Sequence, residues 1–148
     1  MTLRDRIAAE LKEAMKAKDQ VRVDTLRSVV SAFSYRRIEA GQELNEQDQF
    51  EVLRKLLKQR GDSITEFEKA GRMELVAKET RERDILQAFM PPQKTAEELR
   101  LLVRSALQTL APEQRNQGAA MKLLMPQLKA EADGNTIRTL VLEELQNT

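Results

Sequence analysis

The chain has 148 residues, of which 33% are charged and 41% are hydrophobic, with five glycines and four prolines. This composition is typical of a helical globular protein and excludes a disordered chain, a collagen and a turn-rich β-sandwich. The 25 basic and 24 acidic residues give a net charge of +1, so binding to nucleic acid would need a local patch of cations rather than overall charge.

Two helices are predicted at the start of the chain. Apolar residues spaced three and four apart predict helix one over residues 3–17, with Thr2 as its cap. The same spacing predicts helix two over residues 20–39, with Asp19 as its cap.

A third apolar stripe begins after Asn45 and stops at Gly71. We expect one long helix there, although Gly61 costs it about 1 kcal/mol relative to alanine. A fourth helix is predicted over residues 72–89. Its middle is almost wholly charged, so we expect much of its length to be exposed.

Pro91 and Pro92 cannot continue a helix, and they mark the predicted boundary between domains 1–90 and 91–148. Both domains are close to neutral, with 18 basic and 17 acidic residues before the boundary and seven of each after it. A cationic patch must therefore be local in either domain.

Three helices are predicted beyond the boundary. Thr95 and Glu98 form a capping box for the fifth helix, which should end near Pro112. A polar loop follows, then a sixth helix kinked or restarted at Pro126, and a seventh capped by Asp133. No segment alternates convincingly with the period of a strand. The sequence predicts an all-α fold in two parts: a four-helix N-terminal portion and a compact C-terminal three-helix bundle.

Most familiar catalytic groups are absent, because the chain has no cysteine, histidine or tryptophan. It can form no disulfide, thiolate nucleophile, imidazole base or zinc site built on Cys or His. The acids of the fourth helix alternate with Arg81 and Arg83, which favours a salt-bridged surface over a metal site. We predict no catalytic residue, no metal and no cofactor.

The apolar runs are far shorter than the roughly 20 residues of a membrane span, and the N-terminus has no apolar signal core. The expected location is therefore cytoplasmic, with no membrane partner.

The strongest cationic feature contains Arg54, Lys55 and Lys58 on the third predicted helix. Arg54 and Lys58 are four residues apart and share a face, so a phosphate strand could meet several charges at once. The alternative is an ordinary solvated face whose neighbouring leucines make core contacts.

Arg60 lies on the apolar stripe of the same helix, where an isolated guanidinium would be very costly. We expect it to pair with Glu79 or Glu82 of the following helix. Tyr35 lies beside Arg36 and could stack on a base, although a position on the core edge or helix surface is the simpler interpretation.

Several ordered motifs resemble those of the YqeY-like proteins, of the GatB/YqeY group. The motifs are Glu13–Asp19 with Thr25–Arg27, Lys58–Ile64, Phe67–Arg72, Phe89–Gln93, Met125–Pro126 and Ala132–Gly134. The resemblance implies a small, all-helical, two-part protein. It also implies that the C-terminal part is similar to the tail of the aspartyl/glutamyl-tRNA amidotransferase B subunit, which is associated with holding tRNA.

The family label carries a carbon–nitrogen ligase activity with glutamine as amido donor, but this chain lacks the nucleophile and nucleotide-binding motifs that such chemistry needs. By resemblance, a tRNA-contacting surface would lie on the last two helices, around Lys122, Lys129, Gly134 and Arg138. Similar proteins commonly have Gly and a basic residue before Ala-Asp-Gly, whereas this chain has Ala130 and Glu131. That change replaces a positive charge with a negative one and disfavours a phosphate contact at this turn. The Asp133 carboxylate would also compete for the same amides.

Two hypotheses follow. The first is a noncatalytic helical module that contacts tRNA or a tRNA-linked complex through the basic faces at 54–60 and 122–138. The second is an adaptor that binds a protein partner through an exposed groove near Met121–Met125 and binds no nucleic acid. The sequence leaves the oligomeric state open.

Overall fold

The structure is a computed structural model that describes residues 1–128 and 130–147. Within those residues it contains seven α-helices, one short 3-10 helix and no strand, so the predicted all-α fold is confirmed. The chain divides into two compact units, Met1–Met90 and Pro91–Thr148.

The first unit contains four helices whose ends lie within two residues of the predicted ones. They are α1 (Leu3–Ala17), α2 (Gln20–Ala40), α3 (Glu46–Lys69) and α4 (Met73–Gln87). The expectation of one long third helix is confirmed, because α3 continues through Gly61 without a break. Capping boxes at Thr2 and Asn45 satisfy the first free amides of α1 and α3.

Tight turns with left-handed backbone end three of these helices. Lys18 ends α1 with a φ of 58°, and its N–H donates to the carbonyls of Ala14 and Met15. Gly41 ends α2 with a φ of 70°, and Gly71 follows α3 with a φ of 69°. Glycine adopts this region without steric cost, which explains both glycines. The turns at Lys18 and Gly71 join α1 to α2 and α3 to α4.

The core of the first unit draws on all four helices. Leu26, Val29, Leu53 and Leu86 are fully buried in it. The Arg6 guanidinium lies over the Phe89 ring, 5.4 Å from its centroid, and donates to the Ala88 carbonyl, which lies just after the C-terminal end of α4. α1 is thereby attached to the end of α4 through both a cation–π contact and a hydrogen bond.

The second unit contains α5 (Ala96–Thr109), α6 (Gln117–Leu128) and α7 (Gly134–Gln146). A 3-10 helix at Pro112–Gln114 begins the segment that the sequence indicated as a polar loop. α6 continues through Pro126, so of the two predicted alternatives, a kink and a restart, the restart is wrong. The helix continues because Leu124 and Leu128, on either side of the proline, are both buried and need helical spacing to face the core together.

None of the helices among the described residues is both long enough and apolar enough to span a bilayer.

Candidate nucleic-acid interface

The basic segment of α3 presents its charges from a well-anchored helix. Lys55 and Lys58 are exposed, whereas Arg54 is half-buried. Leu53, next to them in sequence, is fully buried, and Leu56 packs against the same core. The leucines therefore fix the rotation of α3, so that the two lysines point to solvent.

Acidic residues limit the length of this cationic face. Glu51 and Asp62 are exposed on α3, four residues before Lys55 and four residues after Lys58. Residues at this spacing are neighbours on a helix surface. The ten residues between these two acids form about 2.8 turns of α3, so a polyanion can contact only that length without meeting the Glu51 or Asp62 carboxylate.

Arg60 connects α3 to α4, as the sequence predicted. Its Nη1 lies 2.6 Å from Oε2 of Glu82 and 3.2 Å from Oε2 of Glu79, so it pairs with both expected carboxylates. The side chain of Arg60 is only 24% exposed, and those of Glu82 and Glu79 are 10% and 15% exposed. Oε2 of Glu82 is fully buried and makes no hydrogen bond among the described residues, so the Arg60 charge is what compensates its burial.

The candidate residues of the C-terminal unit lie on two helices. Lys122 is exposed on α6. Arg138 is exposed on α7, where its Nη1 donates to Oδ1 of Asn135 at 3.3 Å. Gly134 is half-buried at the first position of α7. Lys129 lies outside the described residues.

The amino end of α7 is capped by its own chain. Oδ1 of Asp133 accepts from the N–H of Asn135 at 3.4 Å. The backbone of Gly134 is not left-handed, and a Cβ built on it would make only an ordinary contact of 3.8 Å with Met125. The carboxylate occupies the position that an anion would take, which favours simple capping over a phosphate contact.

Ala130 and Glu131, which depart from the family pattern, hold the start of the second unit in place. The side chain of Gln93 donates to the Ala130 carbonyl at 2.9 Å, and the N–H of Lys94 donates to the Glu131 carbonyl at 2.8 Å. Nζ of Lys94 also lies 3.1 Å from the Glu131 carboxylate. The negative charge of Glu131 is therefore balanced within the unit, in a structural contact.

The structure thus brings three candidate cations together on α3, and places Lys122, Gly134 and Arg138 in the other unit. It also shows exposed apolar residues on α2, of which the sequence had drawn attention only to Tyr35, whose position on the helix surface agrees with the simpler interpretation. Val30, Tyr35 and Ile38 are 43%, 73% and 76% exposed there. Tyr35 and Ile38 lie about 60° apart around α2, on the side away from the buried Val29 and Phe33, whereas Val30 lies only about 60° from Phe33. The local spacing gave no signal for this exposure, since it depends on how the helices pack.

A shallow groove of about 240 Å³ adjoins this α2 surface. It lies between α1 and α2 and is lined by Arg4, Ile7, Ala8, Val30, Phe33 and Ser34. By contrast, the segment predicted as an exposed groove is half-buried, because Met121, Leu123 and Met125 pack against the core of the second unit.

The clearest pKa shifts have structural causes. The backbone and hydroxyl of Thr2 lower the pKa of Asp5 through the capping box of α1. A hydrogen bond from Arg72 lowers the pKa of Glu74, and a hydrogen bond to Glu144 raises the pKa of Arg104. Among residues 1–128 and 130–147, no three metal-ligating side chains form a group that could hold an ion.

The fold and surface together define a class: a two-unit, all-helical protein with a short cationic helix face and an exposed apolar helix face. Residues 4–145, which include most of both units, match the family model described as Yqey-like protein, and the chain belongs to that family. The family that the motifs predicted is therefore confirmed.

The relatives found include mitochondrial proteins of fungi. The chain is 37% identical over 94 residues to "Altered inheritance of mitochondria protein 41, mitochondrial" of Saccharomyces cerevisiae strain YJM789, a match covering 63% of this chain and 51% of the relative. The protein of the same name from Kluyveromyces lactis is 43% identical over 89 residues, covering 57% and 48%. That from Pyrenophora tritici-repentis is 30% identical over 129 residues, covering 86% and 71%. The matched region thus spans about half the length of the yeast relatives.

Proposed function

We propose that this chain is a noncatalytic helical module that contacts tRNA or a tRNA-linked complex through the cationic face of α3. The supporting observation is the exposure of Lys55 and Lys58, with Arg54 beside them, on a helix anchored by buried leucines. Cations held on a rigid helix meet phosphates without first losing backbone entropy.

The C-terminal unit enters the proposal as a second, weaker contact. Lys122 and Arg138 supply exposed cations there. The capped end of α7 argues against Gly134 as a phosphate ligand. The proposed similarity of this unit to the amidotransferase B-subunit tail gives tRNA as the RNA to try first.

The proposal assigns binding rather than turnover to the chain. Carboxylates, Lys, Ser, Thr and one Tyr are the reactive side chains in a sequence without Cys or His. The carbon–nitrogen ligase activity suggested by the resemblance would therefore require a separate catalytic protein, with this chain as an accessory.

Filter binding with a bulk tRNA pool tests the proposal. Three phosphate contacts give a log–log salt slope of about −2.1 to −2.7, so affinity should be about 18- to 42-fold weaker at 200 mM than at 50 mM salt. The variant Lys55→Gln/Lys58→Gln should bind more weakly and lose about 1.4 to 1.8 from the magnitude of the slope.

The matched control is Lys12→Gln/Lys78→Gln, which removes the same charge from exposed positions on α1 and α4. It should bind as the wild type does. Absence of retention at 50 mM salt, or equal losses in the two double variants, would refute an interface on α3.

An adaptor is the second candidate function, favoured by the exposed Tyr35 and Ile38 on α2 and by the groove between α1 and α2, which Val30 lines. An apolar helix face of this kind is a common surface for binding a partner helix. Affinity capture after nuclease treatment tests it. One defined partner, retained by the wild type and lost with Ile38→Glu, would support an adaptor without nucleic acid.

The cytoplasmic location stays a prediction. The relatives found carry the word mitochondrial in their names, so fractionation of a tagged chain should compare both compartments.

A further inference from the structure

Gly61 occupies the middle of α3 although neither its backbone nor the packing of the described residues requires a glycine. Its φ is not left-handed, unlike that of Gly41 and Gly71. A Cβ built on Gly61 meets nothing within 4 Å apart from its own helix backbone and chain neighbours. Alanine would fit here and would stabilise the helix, so the unbound chain gains no stability from the glycine.

The position of Gly61 around α3 places it beside the cationic face. At about 100° per residue, Gly61 lies about 20° from Arg54 and about 60° from Lys58 around the helix axis. It is half-buried, and Thr65 follows it by one turn and is exposed. The Thr65 hydroxyl donates to the Gly61 carbonyl at 3.1 Å, which holds that side chain along the helix.

The missing side chain leaves the helix backbone accessible at a point bordered by charge. Arg54 and Lys58 lie on the amino-terminal side of this gap, and the exposed Asp62 and the Thr65 hydroxyl lie on the other. A flat apolar partner would have to desolvate the exposed Lys58 there, which is unfavourable. A phosphate strand that crossed on the amino-terminal side of Asp62 would instead find the cations of Lys58 and Arg54.

We propose that a sugar–phosphate strand of RNA crosses α3 at Gly61, with its phosphates directed to Lys58 and Arg54. Glycine allows the strand to approach the helix backbone more closely than any side chain would. The inference rests on the proposed function, and it adds the crossing point of the RNA and a steric requirement that lysine substitutions alone do not test.

The experiment adds volume at Gly61 without changing charge, and uses filter binding of the full chain to a bulk tRNA pool at 50 mM salt. Gly61→Ala should raise the Tm, because alanine favours a helix, and should weaken binding about threefold. Gly61→Leu should weaken binding at least about tenfold. The control is Ala77→Leu, which adds comparable volume at an exposed position of α4 and should bind as the wild type does.

The outcomes separate this inference from the proposed function. A wild-type chain that retains no tRNA refutes the proposed function and this crossing point with it. A wild type that binds, together with Gly61→Ala and Gly61→Leu variants that bind equally well, overturns the crossing point and leaves the cationic interface standing. If Gly61→Leu alone misfolds, the Gly61→Ala variant decides: a raised Tm with undiminished affinity overturns the inference, and a raised Tm with weaker binding supports it.

Discussion

Arg60 offers the sharpest test of how the first unit is held together. The substitution Arg60→Met keeps most of the side-chain length and removes the charge that lies 2.6 Å from Glu82 and 3.2 Å from Glu79. The side chains of Glu82 and Glu79 are only 10% and 15% exposed, and both carboxylates would then lack their cation. Removing one partner of a buried ion pair costs about 3–5 kcal/mol, because the other charge remains desolvated.

Partial exposure reduces that cost here. The Arg60 side chain is 24% exposed, so water can reach part of the site after the substitution, and we expect a loss of about 2–3 kcal/mol in the free energy of unfolding. A change of 1 kcal/mol shifts the Tm of a unit of this size by about 4–8 °C. The first unit of Arg60→Met should therefore melt at least about 8 °C below the wild type.

The assay must distinguish the two units, since one Tm is not well defined when units unfold separately. Hydrogen exchange read on peptides from α3 and α4 does so, with urea denaturation followed by circular dichroism as a check. Arg60→Met/Glu82→Met should recover much of the loss, because it also removes the buried charge. Arg72→Met is the control, since Arg72 and Glu74 form a pair 58% and 65% exposed. A change below about 0.5 kcal/mol in Arg60→Met, equal to the control, would refute this reasoning.

Two further predictions concern the second unit and the acid limit of the fold. Leu124→Ala, at a fully buried position of α6, should cost about 2–5 kcal/mol, whereas Leu101→Ala, 65% exposed on α5, should change stability by less than about 0.5 kcal/mol. Urea denaturation would show this, and equal effects would contradict the assigned core. The capping box lowers the pKa of Asp5 in the folded state, so its contribution is complete above the unfolded pKa and is lost as the pH falls through the lower folded pKa. Melting curves from pH 6 to about pH 2.5 should show Asp5→Asn less stable than wild type at pH 6, by a difference that narrows as the pH falls. A constant difference would exclude this linkage.

Local features of the fold could be predicted because local physics determines them. The cap at Thr2 and the capping box at Thr95 were predicted from residues three apart, and the structure has a capping box at both positions. Arg60 could be assigned a partner for a related reason. A guanidinium on an apolar stripe needs a carboxylate, and the tight turn after α3 brings α4 alongside.

Contacts between distant segments could not be predicted in this way. Arg81 donates to both oxygens of Asp19, 62 residues away, and Arg104 pairs with the buried Glu144, 40 residues away. Nothing in the local spacing selects these partners, since they depend on how the helices pack. The exposure of Ile38 and the half-burial of Met121 were missed for the same reason, because an apolar residue shows its neighbours only after the helices are assembled.

The candidate site combines both kinds of information. The charges at Lys55 and Lys58 are visible in the sequence, but their value for binding depends on α3 being held in one orientation. Leu53 and the ion pairs of Arg60 supply that constraint from the other side of the helix. Loss of RNA binding in Arg60→Met should therefore follow the unfolded fraction, whereas the loss in Lys55→Gln/Lys58→Gln should appear in a fully folded chain. Measuring both variants in the same assay separates the helix as a support from the helix as a contact surface.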